Sequence, residues 1–308
     1  MKQKPLITVA ICTYNRANYL KDTLKDLAVQ SEDPAQFEIL VVNNNSPDDT
    51  PNVCEWFAET NQGIHFRSVM EKKQGLSHAR NRAVEEAAGS FLLFIDDDVH
   101  LKKDFVEQAV RSVDLVSGLS CAGGRIFVTF DDSEPDWIPD ELMPMFGLHD
   151  LGDEMKNYPP DNFPRGGNML IHRELFREAG LFDTNLGRTG NVLSGSEEKD
   201  FFEKTRKSGV EPWYLPQLEL WHRIGNRRLG REYLKKQSAG IGYSERLRLS
   251  GSFFGTGRKF ISELIKLAGS AVLAAGYFLQ GKADAARFLI IFRFWVLQGF
   301  FGINFKDK

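Results

Sequence analysis

Phe91-Leu92-Leu93-Phe94-Ile95-Asp96-Asp97-Asp98 is the stretch on which the reading of this chain turns. Five consecutive apolar residues suit a strand buried on both faces, and the three carboxylates after them belong outside it. Strands that empty into polar clusters mark an open α/β sheet, where ligands bind just beyond the carboxyl ends of the strands. The pattern recurs upstream. Leu6 to Cys12 is a short apolar run broken by Thr13-Tyr14-Asn15-Arg16, and Phe37 to Val42 ends at Asn43-Asn44-Asn45-Ser46-Pro47. Between these runs Ala17 to Val29 carries Leu20, Leu24 and Leu27 at helical spacing. Pro51 to Thr60 and Leu76 to Ala88 read as helices and Ile64 to Val69 as a strand, with Gly89 where a helix stop is expected. Alternation at this pace predicts right-handed βαβ units and an α/β fold: a mostly parallel, twisted sheet with helices on both faces.

After about residue 119 the alternation loosens. Cys121 to Phe130 reads as a strand, and the proline-punctuated stretch from Asp131 to Pro164 as a long loop with short elements, a length typical of lids and binding loops. Arg165 to Ile171 resumes an ordered core, and Glu197 to Ser208 is a helix stopped by Gly209. The end of the chain differs in kind. Lys259, Glu263, Lys266 and Ser270 fall on one polar stripe of an otherwise apolar helix, and Phe288 to Phe301 is interrupted by Arg293 and Gln298. The apolar run from Leu267 to Leu279 is about half of what a bilayer span needs. Two helices lying in a membrane interface fit this pattern, with a hairpin packed on the protein's own core or on a second subunit as the alternative. The expected organisation is a domain over residues 1–250 and an apolar, amphipathic helical extension over 251–308.

The 308 residues are 42% apolar and 26% charged, the makeup of a folded chain. The net charge of −3 hides segregation: residues 131–154 carry nine acids and no Lys or Arg, whereas residues 219–259 carry ten Lys or Arg against three acids. The basic region fits an anionic partner or a solvated face. Cys12, Cys54 and Cys121 are odd in number and show no CxxC spacing, which argues against a disulfide framework or a zinc site and for a reducing compartment, with buried packing thiols as the plain alternative. The N-terminus enters a strand without a signal-like apolar stretch, so the expected location is cytoplasmic, peripheral at the inner face of the cell membrane.

Neither GxGxxG after the first strand nor GxxxxGK[ST] is present, so the backbone cradles of dinucleotide and P-loop proteins are missing. A carboxylate cluster cannot bind a diphosphate directly, but it can hold a hard cation that does. Asp96-Asp97-Asp98 is placed for that role, or for simple exposure to solvent.

Taken in order, Val9 to Arg16, Glu38 to Ser46, Ala79-Arg80-Asn81 and Phe94 to Asp98 resemble the family 2 glycosyltransferases with a GT-A, Rossmann-like fold. The likeness continues through Gly166-Gly167-Asn168-Met169, Gly180-Leu181-Phe182-Asp183 and Gly195-Ser196-Glu197-Glu198-Lys199-Asp200, roughly residues 5–250. It implies inverting transfer of a sugar from a nucleoside-diphosphate donor, with Mg2+ or Mn2+, to a saccharide or lipid-linked acceptor. No nucleic-acid partner is implied, and residues 259–301 are the candidate membrane contact.

Carried over by position, Thr13, Tyr14, Asn15 and Arg16 would line the nucleotide pocket and Asn44 would face the base. The family often has acids where this chain has Asn43 and Asn44. Arg80 would approach the diphosphate, or serve as a structural ion-pair arginine. Asp98 is the expected direct metal ligand. Asp96 and Asp97 would serve the ribose or the metal's water shell, Asp96 being a second candidate ligand. His222 is either a further ligand or a packed histidine. The general base is expected in Glu197-Glu198-Lys199-Asp200, where the family pattern is Glu-Asp-x-Asp; Glu198 is the first choice, with Glu197 and Asp200 behind it. Ser194 and Glu197 also satisfy the S-x-x-E capping box. Arg223, Arg227, Arg228 and Arg231 are candidates for the donor diphosphate or an anionic acceptor, and Trp137 for stacking on an acceptor sugar or for packing. The rival readings are a non-catalytic sugar-nucleotide or membrane-binding scaffold and a sugar nucleotidyltransferase, whose glycine-rich first loop Thr13 to Arg16 lacks.

Overall fold

The structure is a computed structural model that describes residues 4–188, 196–249 and 251–303. Ser194, half of the expected capping box, lies outside the described residues. The chain forms two compact units: Met1–Thr129 with Gly147–Thr184 and Glu197–Arg223, and Phe130–Phe146 with Asn185–Ser196 and Ile224–Lys308.

The first unit follows the expected alternation: β1 (Ile7–Thr13), α1 (Ala17–Ala28), β2 (Phe37–Asn43), α2 (Thr50–Thr60), β3 (His65–Met70), α3 (Leu76–Glu86) and β4 (Phe91–Ile95). After the aspartates come β5 (Val99–Leu101), α4 (Phe105–Leu115), β6 (Cys121–Phe130), β7 (Lys156–Asn157), β8 (Asn168–His172), α5 (Leu175–Ala179), α6 (Glu197–Lys207) and β9 (Trp213–Ile224). The strands lie in the order β3-β2-β1-β4-β8-β6-β9-β5, with β7 against β9. The pairs β3-β2, β2-β1 and β1-β4 are parallel. β8 runs antiparallel to β4 and to β6, and β9 antiparallel to β5 and to β7, so the sheet is mixed where the sequence predicts a mostly parallel one.

Side chains alternate across this sheet as a strand's period of two requires. Ile7, Val9 and Ile11 of β1 pack with Leu20, Leu24 and Leu27 of α1, Val53 and Phe57 of α2, and Phe105 and Val106 of α4. Ala10 of β1 and Phe94 of β4 point the other way, into Ala79 and Ala83 of α3, Phe176 of α5, and Phe201 and Phe202 of α6. Helices therefore cover both faces, and α3 and α6 share one.

The second unit is helical. The acidic stretch contributes a 3-10 helix over Asp140–Phe146, followed in sequence by α7 (Asn226–Leu229), α8 (Arg231–Arg248), α9 (Phe253–Leu279) and α10 (Ala283–Phe300). Ile224–Lys308 falls in this unit, so α8 goes with α9 and α10: it packs along α10, which packs in turn on α9. α8 and α10 meet backbone to backbone: a Cβ on Gly242 would lie 1.9 Å from the Val296 carbonyl oxygen, and one on Gly299 1.8 Å from that of Ala239. Trp137 makes an edge contact with Phe288 (centroids 5.2 Å apart), so it has a packing role within this unit. By length and composition α9 suffices to cross a membrane, being 27 residues long where the sequence marks an apolar run of about half a span.

Candidate functional site

The expected site residues converge at the carboxyl ends of β1 and β4. β1 ends on Thr13, whose hydroxyl donates to Asp97 Oδ2 at 2.7 Å. Arg16 caps the same corner from the start of α1, with Nη1 2.8 Å from Asp97 Oδ1 and 2.7 Å from Asp98 Oδ2. Both carboxylates are buried, Asp98 completely, while Asp96 is half-buried. Burial pushes the Asp97 carboxyl up to about 6: the neighbouring aspartates add to that effect, and Arg16 and the Thr13 hydroxyl offset part of it. The same carboxylates raise Arg16 above its already high ordinary value against the cost of its burial. Arg16 is thus ion-paired with both aspartates. Tyr14, 39% exposed, and Asn15, in the left-handed region at φ 56°, face outward beside it.

His222 arrives from 124 residues further on through β9. Antiparallel register sets His222 opposite Val99, and the Arg223 N–H donates to the Asp98 carbonyl at 2.8 Å. His222 Nε2 then lies 3.4 Å from Asp98 Oδ2. Ligand atoms of Asp96, Asp98 and His222 all fall within 4.8 Å of one another. Two carboxylates and an imidazole form a donor set that fits a hard divalent cation such as Mg2+ or Mn2+. Arg223 itself pairs with Asp22 (3.0 Å) and lies over the Tyr19 ring, whereas Arg227, Arg228 and Arg231 belong to the second unit.

The second half of the site stands on α3 and α6. Arg80 is 3% exposed, and its Nη1 reaches Glu197 Oε1 at 2.8 Å and Glu198 Oε1 at 3.2 Å. Of the reading's two alternatives for Arg80, the geometry is the ion pair. Burial works against charge on Glu198, but Arg80, hydrogen bonds at the helix start and Arg165 outweigh it and hold the carboxyl below its ordinary value. Glu197 is sealed in; Glu198 keeps 18% of its side chain exposed. Asp200 is engaged with Lys204 on its own helix at 2.6 Å.

Asn44, expected to face a base, is buried at the end of β2. Its Nδ2 donates to the carbonyls of Glu71 (3.0 Å) and Lys73 (2.7 Å), and its Oδ1 accepts from the Gly75 N–H (2.9 Å). A buried amide must satisfy its own donors and acceptor, and here it does so by pinning the loop between β3 and α3.

Two participants escaped the sequence reading. β8 pairs with β4 so that Asn168 lies opposite Ile95, which brings Gly166-Gly167 to the end of β4. A Cβ on Gly166 would fall 2.0 Å from Arg80 Nη2 and 2.1 Å from Glu198 Oε1, and one on Gly167 2.7 Å from Asp96 Oδ2. One glycine pair therefore touches both the metal-type cluster and the Glu198 cluster. Arg165, preceding it, is the second positive charge acting on Glu198, and its own pKa is lowered by burial. The Gly-Gly pair was visible in the motif but not what it touches; nothing local in the sequence marked Arg165.

The sequence pattern of glycosyl transferase family 2 matches residues 8–180, more than half of the chain and the whole span from β1 to the end of α5. The chain belongs to this family of glycosyltransferases. It is similar to a glucosyl-dolichyl phosphate glucuronosyltransferase of Haloferax volcanii, 23% identical over 249 residues covering 78% of this chain and 76% of that protein. It is also similar to the glycosyltransferase AglE of the same organism, 27% identical and covering 61% of this chain but 59% of AglE. Among solved structures it superposes on a mannosyltransferase from Pyrobaculum calidifontis in complex with GDP-Man and Mn2+ (TM-score 0.67, 17% identity, 99% of this chain and 88% of that one). It also superposes on residues 1–349 of S. aureus TarS with UDP-GlcNAc (TM-score 0.56, 17% identity, 81% and 68%). At such identities the likeness is one of fold, and the fold is GT-A.

Proposed function

We propose that this glycosyltransferase is metal-dependent and inverting, and that it moves a sugar from a nucleoside-diphosphate donor to a saccharide or lipid-linked acceptor. The observation that carries the reading is the single Gly166-Gly167 turn, which holds a cation-type donor set on one side and a charged, reachable carboxylate on the other. Asp98, Asp96 and His222 would hold Mg2+ or Mn2+, which when bound supplies positive charge beside the departing diphosphate. Tyr14 offers an exposed ring at the end of β1 for the nucleotide, flanked by Thr13 and Asn15. Asp97 serves as the buried brace that fixes Thr13 and Arg16 around the ligands.

Glu198 is the general base. As the acceptor hydroxyl attacks the anomeric carbon from the side opposite the diphosphate, Glu198 accepts its proton, and a single displacement inverts the configuration. Glu197 is buried and Asp200 is bound to Lys204, so neither is as available. Glu198→Gln keeps shape and removes the base. Transfer is expected to fall by about two to four orders of magnitude while donor affinity stays within about twofold; near-normal turnover in this variant contradicts the assignment. A scaffold that binds sugar nucleotides without turnover would instead show no transfer in the parent chain.

A membrane surface completes the reading. α9 turns its polar stripe inward: Glu263, 4% exposed, pairs with Lys259 at 3.2 Å and Lys266 at 2.9 Å, and Ser270 accepts from Arg293 of α10 at 3.0 Å. Its outer arc presents Ile261, Ile265, Val272, Phe278 and Leu279. Lipid is the proposed occupant, because this apolar arc is accompanied by exposed Arg258, Lys282 and Arg287. The cytoplasmic face is the side that fits, since all three cysteines are unlinked.

A further inference from the structure

We propose that Arg80 is a positioning residue for Glu198, seated by Gly166, and not a ligand of the donor diphosphate; this rests on Glu198 being the base. The guanidinium is buried and held from several sides. Glu197 and Glu198 both reach one of its terminal nitrogens, the Phe182 ring lies 5.7 Å from its central carbon, and the Gly166 backbone closes on its other terminal nitrogen. Neighbouring residues on a helix point about 100° apart, so Glu197 and Glu198 can share a nitrogen only because it sits between them at the start of α6. A cation held so tightly, and buried, is not placed to swing to a substrate phosphate.

The arrangement also separates two chemically identical carboxylates. Glu197 takes the shorter bond and is sealed, while Glu198 takes the longer one and keeps a path outward. The charged groups acting on Glu198 are Arg80 from α3, Arg165 from the segment before β8 and Glu197 on its own helix. Without Arg80, Glu198 would lose the strongest charge that favours its ionised form and would hold a proton to higher pH. A protonated Glu198 cannot accept the proton of an attacking hydroxyl. Gly166 is the steric half of the same device: a methyl group there would overlap Arg80 Nη2 and Glu198 Oε1 together, forcing the pair apart without changing any charge.

The test compares Arg80→Gln, Arg80→Lys, Gly166→Ala and Glu198→Gln in the full chain, by pH–rate profile and by donor affinity with Mn2+. Arg80→Gln is expected to move the acid limb of the profile up by about one pH unit or more, with donor affinity kept within about threefold. Arg80→Lys should bring the limb part of the way back. Gly166→Ala should lower kcat about tenfold or more with donor affinity unchanged, and it remains decisive should Arg80→Gln fail to fold. An unmoved acid limb with donor affinity weakened about tenfold in Arg80→Gln would overturn the inference, as would parental kcat in Gly166→Ala. Normal turnover in Glu198→Gln is the separate result that removes the base assignment itself; loss of turnover there with an unmoved limb in Arg80→Gln removes only the role of Arg80.

Discussion

Glu197 and Glu198 are adjacent and chemically identical, and the fold gives them different surroundings. The family likeness narrowed the base to a four-residue segment, and a capping-box argument set Glu197 aside; packing against Arg80 provides an independent ground for the same choice. Arg16 and Asn44 were legible as polar residues at strand ends, but not as residues already committed to protein partners. Nothing in a local pattern reveals that Asn44 satisfies three backbone groups of another loop. Buried ionisable groups away from the site follow the same physics. His149 stacks on Tyr158, its Nε2 2.9 Å from the phenol oxygen, and burial, reinforced by Arg165, pushes its pKa down to about 3 from an ordinary 6.5. The unfolded chain therefore binds a proton that the folded chain refuses. This contribution to stability is complete above about pH 6.5 and is lost as pH falls toward 3, at up to about 1.4 kcal/mol per pH unit. Chemical denaturation between pH 8 and 4 should show that loss, and His149→Gln should flatten it; parallel slopes in the two proteins would contradict this account.

At the scale of elements, the strands and helices up to Ile95 were read nearly as they stand, because each apolar run is short, buried and stopped by a polar cluster. β9 was not: its alternation of Leu218, Leu220 and His222 with exposed or half-buried neighbours sits in a region read for its charge. Missing it hid the route by which His222 reaches Asp98. The polar stripe of α9 was legible, but its direction was not, since periodicity locates a stripe without saying which side faces the partner. α8 and α10 meet through Gly242 and Gly299 at distances that leave no room for a side chain. Gly299→Val should push these helices apart at a cost of about 1–3 kcal/mol, read as a lower thermal midpoint with donor affinity retained. An unchanged midpoint would mean that the two helices are not in close contact.

At the scale of the whole molecule, two surfaces carry the functional account, one apolar and one built for a charged ligand. The outer arc of α9 predicts binding to vesicles containing anionic lipid, weakened by salt. Ile265→Asp and Val272→Asp, both at exposed positions, should together reduce binding at least about tenfold, since each removes an apolar side chain whose burial in lipid would be worth about 1.5–3 kcal/mol. A chain that ignores vesicles but forms a dimer abolished by these substitutions would assign the surface to a second copy. The central claim, however, is electrostatic: a cation at Asp96, Asp98 and His222 brings a diphosphate into a site otherwise dominated by carboxylates. Its most direct test is calorimetric titration of a nucleoside diphosphate into the protein with Mn2+ present and after removal of divalent ions with EDTA. The account predicts saturable binding with Mn2+ that weakens at least about tenfold without it; equal affinity in the two conditions would contradict it.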